Sequence, residues 1–178
     1  MLQRNDHIIE ISRDDYLGNK INLADYRGKK VLLSFFRWAS CPFCNLRIRQ
    51  LIVQYPEFVK NKIEIIALFA ATGGEISKYA GKQNAPFPII PDPELDLYAK
   101  YGIKESFSGM VKVLLKPVEL FKVMKSGFFN VKTIHKKAIL PMDFLICEDQ
   151  LIYRAYYGKD YGDHIPIAEV LAWKNERM

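Results

Sequence analysis

Two kinds of apolar pattern alternate along the chain. Val31–Arg37, "VLLSFFR", is a nearly unbroken apolar run bounded by Gly28 and a charge, which predicts a strand covered on both faces. Lys62–Ala71, "KIEIIALFAA", repeats that pattern, with Gly73-Gly74 as its expected end. Between them Leu46, Ile48, Leu51, Ile52, Tyr55 and Phe58 recur at helical spacing. Ser40 is the expected N-cap of this helix, Pro42 falls in its first turn, and Pro56 predicts a bend or break near its end. Farther on, "EISKYAGKQ" reads as a helix, "PFPIIPDP" as a short strand between prolines, and "ELDLYAKYG" as a helix stopped by Gly102. "MDFLICEDQLIYRAYYG" reads as a hairpin turning at Glu148–Gln150, and "IPIAEVLAW" as a closing amphipathic helix. A short apolar alternation at His7–Ile11 and a turn-rich stretch precede the first long strand. This order predicts one α/β domain over residues 1–178, a central mixed β-sheet flanked by helices.

Ser106–Asn130 does not fit that alternation. Lys112, Lys116, Glu119, Lys122 and Ser126 step by three or four and mark one narrow polar stripe on an otherwise apolar segment. Pro117 is expected to open a second helical piece. The segment is therefore predicted as an apolar helical insertion at about 106–130, before the C-terminal hairpin. Core packing is the simplest reading; a homodimer face, a lid over a site and contact with a membrane surface are the alternatives, the last the least favoured.

With 178 residues the chain can bury a full core, and 49% apolar with 26% charged residues is the balance of a soluble globular protein. Lys112 to Lys137 holds seven lysines against one acid, a surplus equal to the whole net charge of +6. A solvated face is the simplest account of this segment. Basic residues interleaved with aromatics in an RNA-binding pattern are missing, so no nucleic-acid partner is expected. The N-terminal "MLQRNDHIIEISRDD" has no apolar h-region, and no apolar stretch approaches the roughly 18 residues that span a bilayer. A cytoplasmic setting is expected. Three cysteines, an odd and small number, suit a reducing compartment better than a disulfide framework.

Two of those cysteines, Cys41 and Cys44, flank Pro-Phe where the first strand gives way to its helix. Three residues apart at a helix start, both thiols share a face. Cys41, nearer the N-terminus, is expected to meet unpaired N–H groups and the positive end of the helix dipole, which favour thiolate. Arg37 stands four residues earlier and can add a positive charge. Cys44, about one turn deeper, is placed to attack whatever forms on Cys41. Two other readings stay open. A zinc site would need four ligands, and Cys147, His7, His135 and His164 offer no second paired spacing. The pair could also be inert core thiols. Cys147, in "FLIC", is expected in the core.

These features resemble the peroxiredoxin-like branch of the alkyl hydroperoxide reductase/thiol-specific antioxidant proteins, within the thioredoxin superfamily. "INLADYRGKKVLLSFFR" is similar to the segment that leads into that group's central strand. "FFRWASCPFCNLRIRQL" resembles the pattern Tyr-Arg-Gly-x-Trp-Cys-Pro-x-Cys, with Arg37, Cys41 and Cys44 on its arginine and cysteines. "ILPMDFLICEDQLIYRAYYGKDYGDHIPIAEVLAW" looks like the family's closing Leu-Pro, strand, turn, strand and helix. The resemblance implies a thioredoxin-like fold and a redox-active CxxC that cycles through a disulfide bond, with no cofactor and no metal. It makes Cys41, Cys44 and Arg37 the catalytic residues, together with Pro141, at the place where thioredoxin-like folds set a cis-proline against the redox cysteines. The implied activity is thiol–disulfide exchange or antioxidant peroxide reduction, with a disulfide or peroxide as substrate and a thioredoxin- or glutathione-type reductant. Peroxiredoxins carry Pro-x-x-x-Thr/Ser-x-x-Cys, and here those positions hold Ser34 and Trp38. Disulfide exchange is thus implied more directly than peroxide activation. The competing class is a non-catalytic thioredoxin-fold module that binds a partner through the basic apolar segment 106–137.

Overall fold

The computed structural model describes residues 1–103 and 139–173. The expected helical insertion at 106–130 and the basic segment to 137 lie outside the described residues. Within them, the apolar runs form the centre of a mixed five-stranded sheet. In chain order the elements are β1 (Ser12–Asp14), β2 (Lys20–Asn22), β3 (Lys30–Phe36), α1 (Pro42–Lys60), β4 (Ile63–Phe69), α2 (Gly73–Lys78), β5 (Ile89–Pro91), α3 (Asp96–Lys100), β6 (Met142–Ile146), β7 (Ile152–Tyr157) and α4 (Ile167–Leu171). The sheet order is β5-β4-β3-β6-β7. β3, β4 and β5 run parallel, while β6 is antiparallel to β3 and to β7. β1 and β2 form a separate two-stranded ribbon.

β3 is central because it can be covered on both sides. Leu32 and Phe36 point into the layer under α1, which also holds Ile48, Leu51, Phe58 and Leu145. Val31, Leu33 and Phe35 point into the opposite layer, with Tyr98, Tyr101 and Phe144. Each fully buried side chain of this size contributes about 1.5–3 kcal/mol.

Several local expectations are corrected. Pro56 lies inside α1, which runs on to Lys60. The proline is exposed, so water can satisfy the carbonyl that loses its N–H partner, while buried Phe58 anchors the last turn. Gly73-Gly74 opens α2 rather than merely closing β4, because Thr72 and Glu75 form a capping box. "EISKYAGKQ" splits into the end of α2 and a 3-10 turn at Ala80–Gln83. His7 makes only an isolated bridge to Leu151, and the first strand lies farther on at Ser12. Gly102 ends the α3 region as expected, at φ +80°, a conformation that favours glycine.

Gly158, just past β7, has a packing reason for lacking a side chain. Its N–H donates to the Pro141 carbonyl at 2.9 Å, and a Cβ would press on the carbonyls of Pro141 and Asp163. Gly158→Ala should lower stability by about 1–3 kcal/mol. Gly74→Ala, with open space at its Cβ position and a helical backbone, should raise it by about 0.5–1 kcal/mol. Urea midpoints of the two variants test this pair, and equal shifts would contradict it.

Candidate active site

β3 delivers the chain to the site. Arg37 follows its last residue, and its carbonyl accepts the Ala70 N–H at 3.1 Å, which ties it to the end of β4. A tight turn comes next, with the Cys41 N–H donating to the Trp38 carbonyl at 2.9 Å. Cys41, not Ser40, is the N-cap of α1; its backbone is extended, and Pro42 takes the first helical position. Ser40 sits within the turn, one residue too early to cap. The helix start is fastened instead by buried Asn45, whose Nδ2 donates to the carbonyls of Ala39 at 2.7 Å and Cys41 at 2.9 Å. Gln83 in turn donates to the Asn45 backbone and side-chain oxygens.

The two thiols are free and fully buried. Cys44 donates a hydrogen bond to the Cys41 sulfur, which outweighs the penalty of burial. Arg37 Nη1 lies 3.4 Å from the same sulfur, and the N–H groups of Phe43 and Cys44 favour its charge. Together they lower Cys41 to about 6. Burial and the neighbouring Cys41 charge push Cys44 well above the ordinary thiol range. One turn of helix thus separates a thiolate from a thiol.

Arg37 is 4% exposed and gathers three parts of the chain. Besides the Cys41 contact, its Nε donates to the Ile139 carbonyl at 2.7 Å, and its guanidinium lies 3.3 Å from the centre of the Tyr161 ring. Tyr161 belongs to the strap of residues 158–166 that joins β7 to α4. The strap is braced by its own acids: Asp163 accepts from the Lys159 N–H and the Tyr156 hydroxyl, and Asp160 accepts from the Gly162 N–H. Pro141 is buried directly before β6, and the Leu140–Pro141 peptide is trans. Its carbonyl accepts the Gly158 N–H at 2.9 Å, which ties the entry of β6 to the end of β7.

Beneath α1 lies a second polar group that the sequence pattern had not singled out. Asp143, the second residue of β6, is fully buried opposite Ser34 of β3. Its carboxylate accepts from the Ser34 hydroxyl at 2.5 Å and the Ile165 N–H at 2.7 Å, and it meets His164 Nδ1 at 2.9 Å. Arg47 of α1 donates to the Ile165 carbonyl at 2.6 Å. Burial alone would push the Asp143 carboxyl up, but His164, Arg47 and Ser34 together outweigh it and hold the carboxyl below its usual range. The available signal was an acid inside the apolar run "MDFLI", which is costly unless partnered.

Cys147 and His7, both weighed as metal ligands, stand at the hairpin end of the sheet, the end away from Cys41. Cys147 is half-buried just past β6 and packs against the edge of the core rather than inside it. Among the described residues no group of three His, Cys, Asp or Glu side chains is arranged to hold a metal ion.

A family model described as AhpC/TSA family matches residues 5–155. Peroxiredoxin Bcp of Escherichia coli (strain K12) is 24% identical over 110 residues, covering 61% of this chain and 70% of that protein. The thiol-disulfide oxidoreductase ResA of Bacillus cereus is 31% identical over 91 residues, covering 50% of this chain and 51% of its own. The crystal structure of peroxidoxin BcpB from Mycobacterium tuberculosis superposes with a TM-score of 0.71 at 15% identity, over 97% of this chain and 96% of that one. The α/β architecture with its mixed five-stranded sheet is therefore a thioredoxin-like fold. By the match over most of its length, the chain belongs to the AhpC/TSA family of the thioredoxin superfamily.

Proposed function

We propose that the protein is a dithiol oxidoreductase in which Cys41 attacks, Cys44 resolves and Arg37 stabilises the Cys41 thiolate. The observation that carries this reading is the geometry of the pair: two free thiols at the start of α1, with Cys44 hydrogen-bonded to the Cys41 sulfur and Arg37 Nη1 3.4 Å from it, an arrangement that lowers Cys41 and leaves Cys44 raised. The Cys41 thiolate attacks one sulfur of a substrate disulfide, forms a mixed disulfide and expels the other sulfur as a thiolate. Cys44 gives up its proton and attacks the Cys41 sulfur, releasing the second substrate thiolate. An external dithiol or glutathione-type reductant then reduces the Cys41–Cys44 disulfide, and a reducing compartment such as the cytoplasm suits that cycle.

With a hydroperoxide, Cys41 would take one oxygen as sulfenic acid, an alcohol or water would leave, and Cys44 would condense with the sulfenic acid to give the disulfide and water. This branch has less support. The Ser34 hydroxyl donates to Asp143, and Trp38 supplies no hydroxyl where peroxiredoxins place one. Disulfide exchange is the preferred activity, with peroxide reduction a slower one. Pro141 joins the site through its place in the chain, two residues after the Ile139 carbonyl that holds Arg37.

A limiting pulse of oxidant on the reduced protein, followed by alkylation and peptide mass spectrometry, tests the reading. Cys41 and Cys44 should appear as one disulfide with Cys147 alkylated. A lasting sulfenic acid on Cys41 with Cys44 still alkylated would overturn the resolving role. Hydrogen peroxide that oxidises Cys41 no faster than a free thiol would remove the peroxidase branch.

A further inference from the structure

We propose that Tyr161 is a positioning residue for the dithiol, its ring face holding the Arg37 guanidinium against the Cys41 sulfur. The inference rests on the redox reading above and adds a residue from the far end of the chain to it. Arg37 is a long side chain that would hydrate if left unconstrained, and at 4% exposure its flat faces must meet protein in place of water. The Tyr161 ring does so at van der Waals distance, 3.3 Å from the guanidinium carbon. An aromatic face carries negative charge density and attracts a cation, so it favours the charged guanidinium where a simple apolar wall would not. The Ile139 carbonyl fixes Nε from another side, which leaves Nη1 directed at Cys41.

The strap gives Tyr161 a defined place. Its two ends are pinned, by Gly158 to the Pro141 carbonyl and by Ile165 to Asp143 and Arg47. Gly162, next to Tyr161, packs against Phe43 of the Cys41-Pro42-Phe43-Cys44 turn, where an added Cβ would come within 3.3 Å of the Phe43 ring. The strap is thus fitted to both Arg37 and the helix start. Removing the Tyr161 ring frees the guanidinium to leave the sulfur, and Cys41 loses one source of its thiolate character.

The test is the pH midpoint of Cys41 alkylation, followed by peptide mass spectrometry so that Cys44 and Cys147 are scored separately. Tyr161→Phe keeps the ring face and should retain the wild-type midpoint. Tyr161→Leu should raise it by about one pH unit, a tenfold loss of thiolate at acidic pH. In an Arg37→Met background, whose midpoint is itself raised, Tyr161→Leu should add nothing. The other charged groups around the site, Lys159, Asp160 and Asp163 on the strap, Arg47 on α1, and Asp143 with His164 beneath, are the same in every variant. A Tyr161→Phe shift as large as that of Tyr161→Leu would overturn the proposal, as would a Tyr161→Leu shift that persists without Arg37 or is absent with it. If Tyr161→Leu does not fold, Tyr161→Met is read by the same criteria. The readout is thiolate, not turnover. Failure of the wild type to form a Cys41–Cys44 disulfide would sink the functional reading and leave this midpoint result intact; coincident midpoints with a normal disulfide would sink only the role of Tyr161.

Discussion

Cys44→Ser should react once with a disulfide substrate and then stop. Cys41 is the more acidic thiol by virtue of the Cys44 hydrogen bond, Arg37 and the N–H groups of the first turn, and only the first of these comes from the side chain at position 44. A serine hydroxyl at position 44 can still donate to Cys41, so attack and its pH midpoint near 6 should survive. Resolution should not. An intramolecular thiol acts at an effective concentration far above that of an external one, so turnover in an insulin-type reduction assay should fall about a hundredfold or more. The mixed disulfide on Cys41 should be visible by mass spectrometry. Cys44→Ala, which removes the donor as well, should also raise the Cys41 midpoint. Cys41→Ser should form no mixed disulfide at all. Wild-type turnover by Cys44→Ser, or a mixed disulfide on Cys44 in Cys41→Ser, would reverse or remove the assigned roles.

Asp143→Asn should unfold the protein far more readily than any change at the surface. The carboxylate sits at the centre of the sheet and serves three donors, from Ser34, His164 and Ile165, with Arg47 adding its charge nearby. An amide offers one acceptor oxygen and turns the other atom into a donor, facing groups that already donate. Breaking one partner of a buried charged network costs about 3–5 kcal/mol. With a urea m-value of about 2 kcal/mol/M, the midpoint should fall by roughly 1.5–2.5 M. The effect has a definite pH sign. The folded carboxyl lies below its ordinary range, so its contribution is complete above about pH 4 and is lost as pH falls through the folded value. The gap between wild type and Asp143→Asn should therefore narrow in acid. A gap that is small at neutral pH, or that widens on acidification, would contradict the network as described.

How far these features could be read from the chain follows from their range. The β3 and β4 runs, the face of α1, the hairpin at 142–157 and the stop at Gly102 each depend on neighbours within one element, and each was legible from periodicity and turn chemistry. The Cys41–Cys44 pair was equally local, since a helix start brings positions i and i+3 together whatever surrounds them. Even locally, caps were misplaced where one residue decided them. Ser40 has the right chemistry for an N-cap, but the turn from Trp38 to Cys41 gives that place to Cys41, and Asn45 fastens the helix start instead.

The sequence by itself thus determined the layer architecture and the position of the dithiol. Only the tertiary structure decided what surrounds the dithiol. Ser34 and Asp143 are 109 positions apart, Arg47 and Ile165 are 118 apart, and Arg37 meets Ile139 from 102 positions away. A hydrophobic period reports which side of an element is covered, not which residue covers it. That second fact depends on the sheet order, which sets β6 beside β3 and so brings Asp143 to Ser34 and leads the strap back over Arg37.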